Sequence, residues 1–146
     1  MSNKVAKPLI SKKALLPIFD RLNDQYFGGL VVAGIGWRNL PIDQGNIVSG
    51  ECVFDERLIR INHLLKDREV PDYFLDYVVY HEMVHLVYHP GAAELDGHED
   101  PHHNPRFQSI EKRHPFFKQS AEFEASGLLK IADKWREYRE FLRKNG

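Results

Sequence analysis

The chain has 146 residues, of which 42% are hydrophobic, 12% aromatic and 28% charged, proportions that suit one folded unit spanning 1–146 and exclude a disordered or fibrous protein. Its single cysteine, Cys52, excludes an internal disulfide and any cysteine-rich zinc finger, and its net charge of -1 excludes a globally basic nucleic-acid-binding surface. No apolar run reaches the roughly 20 residues of a membrane span, and the opening MSNKVAKPLISKK lacks an apolar signal core, so a cytoplasmic location without membrane contact is expected.

In chain order, residues 1–10 are expected to be flexible. KKALLPIFDRLNDQYFGG then sets Leu15, Ile18, Phe19, Leu22 and Tyr26 at helical spacing and stops at Gly28-Gly29. Pro17 is compatible with that helix only near its start, where the missing N–H costs nothing. Three β-rich runs follow, LVVAGIGW (30–37), NIVSGECVF (46–54) and RLIRIN (57–62), the last two joined by a short acidic turn. They predict a small sheet ending in a hairpin.

VPDYFLDYVVYHEMVHLVYHPG predicts a second helix, with Pro71 at its first turn, Asp72 at its positive end and Pro90-Gly91 closing it. Apolar residues occupy almost every side, so this helix should be central and buried. Burial changes the meaning of its polar residues, because His81, Glu82 and His85 without partners would cost several kcal/mol. Residues four apart lie one turn apart on the same face, roughly 6 Å along the axis, so the His81 and His85 imidazoles can converge on one ion. Glu82 projects roughly 100° away from His81, within reach of a water beside that ion without being a ligand. This is the HExxH division of labour; the alternative is a pair of core histidines satisfied by neighbours. His89 shares the stripe, but at roughly 12 Å from His81 it cannot join them on one tetrahedral ion.

A catalytic zinc usually has three protein ligands and one open position. Downstream candidates for the third are Glu94, His98, Glu99, His102, His103 and Glu111. His103 is preferred, because HNPRFQSIEKRHP predicts another helix with Asn104 near its cap and Pro105 in its first turn, which would hold His103 rigidly. His102 is the nearest competitor. GAAELDGHED (91–100) reads as a mobile acidic loop, either an uninvolved surface insertion or a rim over the cleft that would favour basic polypeptides.

HExxH followed by HxxxF (His103 to Phe107), with FDRLNDQYFGGLVVAGIGWR upstream and Gly50-Glu51-Cys52 between, resembles the SprT-like zinc metallopeptidase domain over roughly Leu15 to Pro115. LDYVVYHEMVHL and HNPRFQSIEKRHP are also similar to the YgjP-like small metallohydrolases, against which GAAELDGHEDPH is an insertion. A four-cysteine zinc ribbon, which many SprT-like proteins carry after this domain, has no counterpart here. The resemblance implies an α+β, zincin-like fold: a small mixed sheet of about three strands packed on the N-terminal helix and the central HExxH helix, with C-terminal helices.

The expected activity is zinc-dependent peptide hydrolysis. One Zn2+ on His81, His85 and His103 would activate a water and polarise the substrate carbonyl, with Glu82 as general base. The substrate would be a polypeptide lying extended along Ile47 to Phe54, the strand that commonly forms the sheet edge in zinc peptidases. His114, Tyr88 or a basic residue are candidates for steadying the oxyanion. The alternatives are a zinc hydrolase of nucleotides or other small molecules, and a binding module with a structural zinc. In the tail (119–146), SGLLKIADKWREYREFLRKNG has Leu128, Ile131, Trp135, Tyr138 and Leu142 on one helical stripe, expected to pack on the core. From Pro101 onward ten basic residues face six acidic ones, but no aromatic track accompanies them, so nucleic-acid binding is not supported.

Overall fold

The computed structural model describes residues 5–88 and 105–145. Helix α1 (Leu15–Phe27) has Pro17 as its third residue, where no intrahelical N–H is required. It ends because Gly28 and Gly29 take left-handed φ values of 60° and 73°, and the Gly29 N–H donates to the Asn23 carbonyl at 2.9 Å. The buried Asn23 side chain then grips Val31 twice, accepting from its N–H at 3.0 Å and donating to its C=O at 2.9 Å. With Val31 held this way, strand β1 starts at Gly34 and runs to Arg38, later than the expected residue 30. Leu30 and Val32, on either side of the clamp, are 82% and 75% exposed.

The expected 46–54 strand divides in two. β2 (Ile42–Asp43) pairs with β3 (Asn46–Ile47) around a turn in which Gly45 has φ 81°. The chain changes partner at Val48, whose N–H goes to Pro41 O and whose C=O accepts from Asn62 Nδ2 at 2.8 Å. β4 (Gly50–Val53) then pairs antiparallel with β5 (Leu58–Asn62), which is also parallel to β1. The sheet order is therefore β1-β5-β4, with β4 at an edge.

A 3-10 turn (His63–Lys66) leads to α2 (Asp72–Val87), with Pro71 as its extended N-cap, one position before the first turn in which it was expected. Ten of its sixteen residues are buried, so apolar contact on nearly all sides replaces the one-sided stripe of a surface helix. α2 lies against β4 and β5, where Ile59 and Ile61 are fully buried, and α1 packs on α2 and β1. The described residues thus form an α+β fold with a small three-stranded sheet.

Three further helices follow: α3 (Pro105–Glu111), α4 (Phe117–Ala125) and α5 (Gly127–Asn145). α4 and α5 are separate because the chain bends at Ser126, and a Cβ at Gly127 would stand 2.6 Å from the Phe123 ring. Leu128, Ile131, Ala132 and Trp135 bury the inner stripe of α5, whereas Leu142 is 46% exposed, so the stripe packs for about its first half.

Trp135 Nε1 donates to the fully buried Asp67 at 2.8 Å; Lys134 Nζ reaches that carboxylate at 2.8 Å, and the Glu69 N–H reaches it at 2.9 Å. Lys13 Nζ donates to the carbonyls of Leu65, Asp67 and Val70 nearby. Farther along α5, Arg136 donates to Ile42 O at 2.8 Å, and Arg139 donates to Leu40 O at 2.9 Å and Asn62 Oδ1 at 3.3 Å. No helix among the described residues is long and apolar enough to cross a membrane.

Candidate metal centre

His81, Glu82 and His85 occupy the last two turns of α2, facing β4 and α3. The Nε2 atoms of His81 and His85 lie 3.1 Å apart. Two nitrogens at about 2.0–2.1 Å from one tetrahedral zinc stand about 3.3 Å apart, so the pair fits two corners of such a site. The rings are braced by Phe107 of α3, tilted on His85 at 4.4 Å between centroids and edge-on to His81 at 5.4 Å. Among the described residues, no group of three or more His, Cys, Asp or Glu could hold a metal. His103, the preferred third ligand, lies outside the described residues, as do Glu94, His98, Glu99, His102, His89, the Pro90-Gly91 helix stop and the acidic loop.

The other nitrogen of His81 is also engaged: Nδ1–H donates to Glu111 Oε1 at 2.9 Å, and the same oxygen accepts from the Tyr77 hydroxyl. Burial alone would lower the His81 pKa, but the Glu111 hydrogen bond and the Glu82 and Glu111 charges raise it. Burial, the Glu111 hydrogen bond and that residue's charge push the Tyr77 phenol up, keeping it a donor at any ordinary pH.

A cleft of about 610 Å³ opens beside these residues, with Gly50, Glu51 and Cys52 of β4 as one wall and His81, Glu82 and His85 as the other. β4 comes this close because residue 50 is glycine: a Cβ there would meet Glu82 Cγ at 3.1 Å and Val78 Cγ1 at 3.2 Å. The Asn62 N–H donates to Ser49 O, and ladder alternation then turns the main-chain groups of Gly50 and Cys52 away from β5. Among the described residues, no strand pairs beyond β4.

Glu82 is 6% exposed and accepts no hydrogen bond among the described residues. Burial raises its pKa to about 7; His81 opposes this and Glu51 adds to it. A carboxyl poised there can both take and return a proton near neutral pH. Burial, reinforced by Glu82, pushes the Cys52 thiol up to about 12, so it stays protonated and unreactive.

The SprT-like family model matches residues 15–125, more than half of the chain. The chain belongs to the SprT-like family. No curated protein matches it. The SprT-like match spans α1, the sheet, α2, α3 and α4, and so includes every described wall of the cleft.

Several side chains of this SprT-like site take different places from those expected. Glu111, a ligand candidate, places Oε1 on Nδ1 of His81, the ring edge away from the His85 nitrogen. His114 cannot steady an oxyanion in the cleft. Its ring is fully buried, Nε2–H donates to Asp76 at 2.7 Å, and Nδ1 accepts from the Phe116 N–H. Burial and the Arg21 charge lower its pKa to about 4. Tyr88 borders a different cavity, with Tyr26, Phe27 and Leu30, and carries Arg106 over its ring. None of the described cleft-lining residues is Lys or Arg.

Two residues of the site went unforeseen: Tyr77, readable as the position one turn before His81, and Glu124 of α4, which lines the cleft and carries no comparable signal.

Proposed function

We propose that this SprT-like chain is a zinc metallopeptidase of zincin-like design, cleaving polypeptides with one Zn2+ held by His81, His85 and His103. The observation that carries the reading is the pair of Nε2 atoms 3.1 Å apart on one wall of a cleft whose other wall is the edge strand β4. Zinc, when bound, supplies Lewis acidity for the water and for the scissile carbonyl. Glu82 takes a proton from the attacking water and returns it to the leaving nitrogen, a role supported by its place on the cleft wall beside His81 and His85. The outward main-chain groups of Gly50 and Cys52 pair with an extended substrate, fixing its register without demanding a sequence.

Four carboxylates, Glu51, Glu82, Glu111 and Glu124, line the cleft with no described cationic residue among them, which disfavours a phosphate-bearing substrate. Metal analysis with peptide cleavage by the wild type and Glu82→Gln tests the reading. Stoichiometric zinc in both proteins and hydrolysis only in the wild type is the expected result. Zinc-independent cleavage, or zinc lost from Glu82→Gln, would overturn it.

A further inference from the structure

We propose that Glu111, gripped by Tyr77, is a positioning residue for His81: it fixes the imidazole as the Nδ1–H tautomer and aims the Nε2 lone pair into the cleft. The inference rests on His81 being a metal ligand, as proposed above.

An imidazole free to exchange tautomers would place a proton on Nε2 part of the time, and a protonated nitrogen cannot coordinate. Glu111 removes that freedom by accepting the Nδ1 proton at 2.9 Å. The acceptor is itself fixed, since the Tyr77 hydroxyl donates to the same oxygen and the Tyr80 hydroxyl donates to the carbonyl of neighbouring Ile110 at 2.6 Å. Residues 77, 80 and 81 share one face of α2, so a single helix both presents the imidazole and locks the segment that orients it.

Three further facts favour this role over simple packing. The Glu111 side chain is only 15% exposed, so its charge has been taken largely out of water. It ends α3, the negative pole of that helix, where a carboxylate is disfavoured and a cation preferred. Phe107, one turn earlier on the same face of α3, packs on both histidine rings, so α3 controls the tilt of the imidazoles as well as their protons.

The test uses the whole chain, stripped of metal. For the wild type, Glu111→Gln and Tyr77→Phe, the dissociation constant for zinc is measured by chelator competition. The melting temperature of the metal-free protein and ring-nitrogen NMR of His81 accompany it. Glutamine keeps the shape and one acceptor but loses the charge. Glu111→Gln is expected to weaken zinc binding about 10- to 100-fold and to lower the Nδ1–H population, with melting near that of the wild type. Tyr77→Phe should shift both readings the same way by less, and it carries the test if Glu111→Gln does not fold. Zinc affinity and tautomer both unchanged, or affinity loss that merely follows a loss of melting temperature, overturns the proposal. A wild type that takes up no zinc yet shows Nδ1–H fixed by Glu111 would overturn the metal assignment and leave the orienting contact supported.

Discussion

Two buried carboxylates in this molecule are treated in opposite ways. Asp67 is fully buried but receives Lys134, Trp135 Nε1 and the Glu69 N–H; burial raises its pKa, and these donors outweigh burial so that the net shift is downward. Glu82 is almost as buried, receives no hydrogen bond from a described residue, and is raised to about 7. The first carboxylate joins α5 to the segment before α2. The second is left without such donors beside the cleft, at the position proposed for the base.

The sharpest break in that comparison is catalytic. Glu82→Gln should lower cleavage about a thousandfold while retaining zinc, and Asp67→Asn should leave the rate per folded molecule near that of the wild type. Steady-state peptide cleavage, normalised to folded zinc-loaded protein, measures both. Stability should reverse the ranking: Asp67→Asn weakens the charge-assisted hydrogen bonds from Trp135 and the Glu69 N–H, leaves Lys134 on Glu69 alone, and should lose roughly 3 kcal/mol at pH 7, read by urea unfolding.

The third prediction follows the pH. A carboxyl whose folded pKa exceeds its ordinary value binds its proton more tightly when folded, so the metal-free wild type loses stability as pH rises from about 4.5 and bears the full cost above about 7. Metal-free Glu82→Gln should match the wild type below pH 4.5 and exceed it by roughly 3 kcal/mol above pH 7, in unfolding curves taken across that range. The smallest effect is steric. Gly50→Ala pushes a methyl towards Glu82 Cγ and Val78 and should cost about 1 kcal/mol in urea unfolding. Its cleavage rate should fall more than that loss explains, since the displaced group is the proposed base.

What was legible in the sequence was what depends on local spacing. The His81–His85 turn, the Gly28-Gly29 stop and the β4–β5 hairpin all follow from residues close in the chain, whereas the edge position of β4 was expected from the resemblance to zinc peptidases. The late start of β1 was hidden because the Asn23 side chain, eight residues away, takes both main-chain groups of Val31. The Asp67 cluster was hidden more deeply, because Trp135 and Lys134 arrive 68 and 67 positions later and no short window contains the pair. Glu111 was visible as an acidic residue near the site, but its place on Nδ1 of His81 depends on how α3 docks against α2, which spacing alone does not fix.

Arg136 and Arg139 give the cleft a history as well as a shape. A ribosome releases the chain from its first residue onward, so α2 with its histidines emerges long before the two arginines that fasten Leu40, Ile42 and Asn62, the residues around the approach to β4. The wall on which a substrate would lie therefore gains these fastenings only when synthesis has passed residue 139. A half-made chain holds the chemistry without the finished bench, and the last helix sets the moment at which the two come together.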